Sequence, residues 1–460
     1  VHSFHRVLGQ IKQRTTHMPD SNAANNGVVG SVPLTTDGGE HAPRYVILVL
    51  VTISIVPPFV YAMFLPHLFF QVGALGQSDD NQFLTTHAFL GYIIAAYYLV
   101  KMLCSPLVGW MSGTAGVRCV FLLLMLSELV GTAVYALTRC RWLLLISYAL
   151  QGFAATNSTV CRAYVPRLLS SSAQRTQLLA WITTGTTCGF IAGPAIGSLL
   201  TLIDCPAESE WSAFAFNGCT APGWLGTALS VMTISVLLLL PADGHSQQTR
   251  SSPTVNPESS WWWQIDGFRA FATLASQQLA IVLPFASIET LTAPICADAY
   301  GWTPKQVGIL FSVGSICTLP VSFMLKPLMT ACGATPRGML LFSMLGQVLA
   351  VVCLDDFQEP IFGDATFLPQ FIIAFCAFYM FYVIAQICVF SVFYSLFAGH
   401  PKCGSWVGFI SSAGSLGRFV WPIISVNLLS VGGGLVWLST ALVLAVLGPC
   451  LLFFNFHRLR

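Results

Sequence analysis

The chain has 460 residues, 55% of them hydrophobic and only 8% charged, with a net charge of +2 at neutral pH. Ordinary globular domains carry about 25% charged residues, so a water-soluble enzyme is excluded and a membrane protein is the class that fits. The charge balance offers no basic excess for nucleic acid. Most of the fifteen cysteines stand singly inside apolar runs, as small hydrophobes do. No GxxxxGK[ST] or HExxH pattern occurs, so neither ATP-driven pumping nor zincin chemistry is supported, and no cofactor or metal is implied.

The chain opens on Val1, as a fragment or a processed chain would, and residues 1–44 are rich in Ser, Thr, Asn and Gly. They hold no apolar run of signal-peptide length and are expected to form a disordered cytosolic tail. A spanning helix needs about 20 mostly apolar residues. Twelve such stretches follow: 45–70, 83–108, 119–138, 142–165, 176–203, 224–240, 268–293, 305–328, 338–354, 368–396, 404–428 and 433–454. The longest polar break among them, 241–260, sets six helices against six. The expected layout is an all-α polytopic fold with bundles at 45–240 and 268–454, a cytosolic linker at 241–267 and a short tail at 455–460.

Charge gives orientation. If the N-terminus is cytosolic, its side holds 14 of the 20 Lys and Arg: Arg6, Lys12, Arg14, Arg44, Arg118, Arg167, Arg175, Arg250, Arg269, Lys326, Arg337, Lys402, Arg458 and Arg460. The opposite loops hold Arg139, Arg141 and Lys305, so the positive-inside asymmetry predicts cytosolic termini. A shift of 219 residues lays Arg118-CVFLLLMLSE over Arg337-GMLLFSMLGQ and Glu128 over Gln347. Such six-plus-six repeats place a solute site near the midplane between halves, although apolar segments also resemble one another by chance.

The stretch at 176–203 contains Gly185-TTC-Gly189-FIA-Gly193-Pro194-AI-Gly197. Glycines spaced by four make a flat strip for close helix approach, and Pro194 leaves a backbone carbonyl without its donor. The strip serves helix packing, a hinge between moving halves, or both. Gly189-x3-Gly193-Pro194-x2-Gly197 resembles a helix signature of the major facilitator superfamily. Gly109-WMSGTA-Gly116-V-Arg118 is similar to that superfamily's loop motif, with Gly113 where an acidic residue is usual.

Three longer stretches resemble the lysosomal facilitator subgroup linked to neuronal ceroid lipofuscinosis, and more loosely the vacuolar phosphate carriers. They are Asn157-STVC-Arg162-Ala163-Tyr164 with Arg175-Thr176, Glu289-Thr290-LTA-Pro294-ICA-Asp298-A-Tyr300-G-Trp302-Thr303, and Gly408-FISSA-Gly414-S-Leu416-Gly417-Arg418-FVW-Pro422. The resemblance implies a lysosomal or vacuolar membrane. It also implies transport of a small solute by alternating access, a monomer, and a cavity ringed by the first, fourth, seventh and tenth helices.

Charges at bilayer depth are costly and face protein or water. Glu289 lies in the 268–293 stretch, three helical turns from Gln278 on the same face. A carboxyl held there can exchange protons, which makes Glu289 a proton-coupling candidate; a structural carboxylate is the alternative. Arg418, near mid-depth, has a planar fork suited to carboxylate or phosphate. It is read as an anion site, a partner for Glu289, or a gating ion pair. Polar stripes Gln151, Ser158 and Arg162, and Tyr379, Tyr382 and Gln386, mark one face of their helices. Gln151, Ser158, Tyr379, Tyr382 and Gln386, with Gln278 and Arg418, are the candidate solute contacts of a water-filled cavity; in a dry bundle the stripes are helix–helix hydrogen bonds. Arg162 and Lys101 fall near the cytosolic face, where they can snorkel. Glu128, on a helix that is peripheral in the family, is read as packing.

Gly189, Gly193, Pro194, Gly197, Gly109, Gly116, Arg118 and Arg162 form the structural or gating set. Weaker signals are a Cys205–Cys219 disulfide, an Asn157 glycosylation triplet inside a helix, and an interfacial anchor at Trp261-Trp262-Trp263. A coupled carrier of a small anion is the leading function. An anion-conducting channel or uniporter is the rival, and a non-transporting receptor or scaffold is the weaker third.

Overall fold

The structure, a computed structural model, describes residues 44–75, 86–168, 172–200, 203, 218, 220–239, 265–354, 367–397 and 403–455. The tail at 1–43, Cys205, Cys219, most of the 241–267 linker, the three tryptophans and residues 456–460 lie outside these. Among the described residues there are twelve helices and no strand. Seven are long and apolar enough to cross a bilayer, and the chain is a multi-pass integral membrane protein.

The helices are α1 (Arg44–Leu75), α2 (Thr86–Thr114), α3 (Val117–Ala136), α4 (Arg141–Ala154), α5 (Asn157–Leu168), α6 (Ser172–Leu200) and α7 (Ala221–Leu237), then α8 (Ile265–Tyr300), α9 (Pro304–Ala331), α10 (Pro336–Leu354), α11 (Phe367–Phe397) and α12 (Cys403–Asn455). α3 shows how the pattern sorts its faces. Phe121, Leu124, Met125 and Glu128 are buried, while Leu123, Leu126 and Val130 are exposed. In water an exposed leucine stripe would be a liability; against lipid it is the outer surface. Two buried clusters draw on α1–α7 and two on α8–α12.

Two predicted boundaries need correction. The stretch at 142–165 is α4 and α5 separated by a turn at Ala155–Thr156. Thr156 Oγ1 donates to the Phe153 carbonyl at 2.7 Å and its own carbonyl accepts from the amides of Thr159 and Val160. This is the local bonding by which threonine and asparagine compete with a continuous helix. The stretches at 404–428 and 433–454 form one helical run, α12. That run cannot be straight. A Cβ on Gly417 would lie 3.2 Å from Leu279, and one on Gly448 would lie 3.3 Å from Ala280; a straight helix would put those glycines about 46 Å apart. Val426 and Ala441 share one buried cluster, and Val407 and Leu452 share another. The run therefore doubles back between Val426 and Ala441.

Proline organises contacts between helices. Pro57 has no N–H, so the Ile53 carbonyl in α1 lacks its usual donor; Asn157 Nδ2 donates to that carbonyl at 2.5 Å. Pro106 likewise frees Met102 in α2, and Ser412 Oγ of α12 donates to the Met102 carbonyl at 3.1 Å. The second bond ties α2 to α12. Those helices also meet at Gly91, beside the Pro422 carbonyl, and at Gly408, beside Ser105 and Pro106.

Candidate functional site

The glycine strip of α6 lies on α1. A Cβ at Gly189, Gly193 or Gly197 would stand 2.5, 2.6 or 2.5 Å from the carbonyl oxygens of Ile55, Phe59 and Met63. Glycines four apart meet carbonyls four apart, a register that only a bare backbone permits. His67 in α1 shares a hydrogen bond with the Gly197 carbonyl at 2.8 Å, which pins the C-terminal end of this pair. Gly116 begins α3 at φ 86°, a left-handed conformation suited to glycine. Arg118 donates to the Leu238 carbonyl at 3.0 Å. Gly109 is different, with only Thr159 in ordinary contact.

α2 packs along α12, and α1 and α2 both reach α8; there, beside Tyr382 of α11, the buried charges meet. Arg418 Nη1 donates to the Tyr98 hydroxyl at 2.5 Å and Nη2 to the Tyr382 hydroxyl at 2.7 Å. Glu289 Oε2 is 3.9 Å from Nη1. Both charges are buried, Glu289 at 4% exposure and Arg418 at 9%. The guanidinium carbon sits 4.8 Å over the Phe285 ring and 5.1 Å over Tyr98, cation–π contacts that help hold a cation out of water. Phe285 stacks on Tyr382 with centroids 3.8 Å apart and meets Tyr379 at 5.3 Å.

The separation between Arg418 and Glu289 decides the chemistry. A bidentate arginine–carboxylate pair places two N–H donors at about 2.7–2.9 Å. Here the pair is looser, and two of the five guanidinium N–H groups go to the tyrosine hydroxyls. Arg418 can therefore take a second carboxylate-like partner.

The other predicted contacts fall in two places. Gln278 Nε2 donates to Gln386 Oε1 at 3.1 Å, joining α8 to α11. Tyr379 lies against Phe285 beside the ion pair. Gln151 turns to α3: its Nε2 donates to Ser147 Oγ at 3.0 Å, and its chain packs on Gly131. Ser158 bonds only weakly, at 3.4 Å, to the Ala155 carbonyl, and the α4–α5 turn interrupts the stripe joining it to Gln151. Arg162 places its guanidinium 4.4 Å over Phe390 of α11. Lys101 lies 5.8 Å from the Tyr98 ring. Sequence reading missed Tyr61, Tyr97, Tyr98 and Phe285. Tyrosines normally gather at membrane interfaces, so a Tyr97-Tyr98 pair in the middle of α2 is the signal that could have found them.

Residues 46–261 match the Major Facilitator Superfamily family model. That stretch is a major facilitator superfamily domain. The facilitator fold extends over the rest: the human organic anion transporter MFSD10 superposes with a TM-score of 0.67 at 18% identity, covering 89% of this chain and 99% of that one. A D-xylose-proton symporter gives 0.66 at 12% identity, covering 88% and 97%. In sequence, the chain is 26% identical over 281 residues to major facilitator superfamily domain-containing protein 8 of Xenopus laevis, 57% of this chain and 54% of that protein. It is 24% identical over 240 residues to the class C tetracycline resistance protein of Escherichia coli, 52% and 57%. The matches thus span about half the length of these relatives.

Proposed function

We propose that the protein is a secondary transporter that carries a small organic anion by alternating access, coupled to protons through Glu289. The loose Arg418–Glu289 pair carries this reading. An arriving anion and the Glu289 carboxylate compete for one guanidinium in a site of low dielectric, where like charges repel strongly. Anion binding then favours a proton on Glu289, and departure of the anion lets Glu289 return to Arg418 without it. Solute and proton move together because one cation serves two anions. The wall favours an organic anion: Phe285, Tyr98, Tyr382 and Tyr379 offer aromatic faces and two hydroxyls rather than a cage of donors for a hydrated inorganic ion. The structurally similar human protein is an organic anion transporter.

Residues 45–240 and 268–454 move as two bundles, rocking about α1–α6 and their counterparts, with Gln278, Gln386, Ser158 and Gln151 lining or supporting the path. The protein acts as a monomer in a lysosomal or vacuolar membrane with both termini cytosolic. That location is supported by the motif resemblance and by similarity to the synaptic vesicular amine transporter of Bos taurus, 22% identical over 284 residues. The test is Glu289→Gln in proteoliposomes. Anion exchange without a gradient persists, whereas uptake driven by a proton gradient is lost; retention of gradient-driven uptake would refute the assignment.

A further inference from the structure

Glu128 sits in the middle of α3 at 1% exposure, and neither of its carboxyl oxygens has a hydrogen-bond partner. The exposed stripe of Leu123, Leu126 and Val130 occupies the opposite face, so the carboxyl looks into the bundle. Among the described residues, the helices packed on α3 supply no free cation. Arg141 in α4 lies over Phe89 at 5.9 Å, Arg162 in α5 over Phe390, and Lys101 in α2 beside Tyr98. Arg118 bonds the Leu238 carbonyl, and α7 has no charged or titratable side chain.

What faces Glu128 is polar and neutral. Gln151 packs on Gly131, one turn along the same face, with its Oε1 unpartnered. Tyr97 of α2 lies within electrostatic reach of Glu128, Glu289 and Arg418 together. Its ring is 4.5 Å from Tyr61, 4.8 Å from Tyr98 and 6.4 Å from Tyr148, and Tyr148 is 6.5 Å from Tyr135. The hydroxyls of Tyr135 and Tyr148 are unpartnered as well. A file of tyrosines thus runs from the Arg418–Glu289 pair to Tyr135, two helical turns from Glu128 on the same face of α3. An ionised carboxylate with neither cation nor donor is the costliest state such a site can hold; an acid there is neutral and supplies the missing donor.

We propose that Glu128 is a second proton-binding group, loaded and unloaded in step with passage of the anion past Arg418. A proton taken from water converts the Glu128 carboxylate to the acid and is returned to water on release. Each tyrosine hydroxyl that relays it accepts one proton and gives up its own, so only Glu128 changes charge. The step-wise coupling rests on the proton-coupled reading of Arg418 and Glu289 given above: Glu128 loads in step with the anion only while Glu289 exchanges its own proton, so Glu289→Gln uncouples both. The proton site itself does not rest on that reading. The pseudo-equivalent Gln347 is likewise buried, with its Nε2 unpartnered, so Glu128→Gln installs a side chain that the fold already holds in the matching place.

Infrared spectroscopy of the protein in lipid tests this directly. We expect a protonated-carboxyl C=O band that disappears as pH is raised, is absent from Glu128→Gln and survives in Glu289→Gln. Tyr97→Phe slows its response to a pH jump several-fold. In proteoliposomes Glu128→Gln moves one proton fewer per anion than wild type. Absence of the band, a band that is fixed at every pH, or an unchanged proton-to-anion ratio in Glu128→Gln overturns the proposal. A titrating Glu128 band in a protein that moves no anion would instead uphold the proton site and refute the transport reading.

Discussion

At the scale of single residues, Arg418 carries the account. Its two hydroxyl bonds and loose carboxylate depend on a planar fork, which lysine lacks. Arg418→Lys keeps the charge but loses the two-pronged contact. Hydrogen bonds to charged groups contribute about 1.5–3 kcal/mol, so anion affinity falls about tenfold to a hundredfold. Equilibrium binding in detergent reads this without transport, and unchanged affinity would show that the fork does not hold the anion. Tyr98→Phe and Tyr382→Phe each remove one hydroxyl bond to the guanidinium and weaken binding less, with the aromatic wall retained. Arg418 and Glu289 were legible in the sequence because a charge inside an apolar run stands out. Tyr98 and Phe285 were not, because at this level an aromatic in a hydrophobic stretch reads as ordinary core.

At the scale of helices, glycines that look alike in sequence differ by what they touch. A Cβ at Gly193 would meet the Phe59 carbonyl at 2.6 Å and Ala62 Cβ at 2.7 Å, whereas one at Gly109 finds only Thr159 at 3.8 Å. Gly193→Ala forces α1 and α6 apart and costs about 1–3 kcal/mol, the usual scale of overpacking. Gly109→Ala is neutral or slightly stabilising, since alanine favours the helix. Thermal unfolding in detergent separates the two, and equal midpoints would contradict the close α1–α6 contact. Ser412→Ala strips the donor from the carbonyl that Pro106 frees. It loosens the α2–α12 seam, which is seen as faster labelling of a cysteine placed at Ser105. The spacing of glycines and prolines was readable; which carbonyl receives which donor depends on packing between helices far apart in the chain. The α4–α5 break was missed for the same reason, since hydropathy reports how apolar a segment is and this break turns on local hydrogen bonding at Thr156. The return of α12 agrees with the two spans read at 404–428 and 433–454.

At the scale of the molecule, composition and loop charge said most. Few charges and twelve apolar stretches predicted a multi-pass helical fold, and the superposition on facilitator structures bears out that fold. The uneven distribution of arginine and lysine predicted its orientation. The orientation makes a further prediction. A tag on the N-terminus and another on the C-terminus are both reached by a cytosolic protease in intact organelles, and protection of either would reverse the topology proposed here.

The claim that one guanidinium serves a transported anion and a proton-carrying acid is tested most directly by flux. Purified protein is placed in liposomes containing a pH-sensitive dye, the potential is clamped, and organic and inorganic anions are offered outside. The account predicts proton movement that depends on an organic anion and is lost in Glu289→Gln. Chloride crossing with voltage and without proton movement would contradict it, and would make the protein an anion channel.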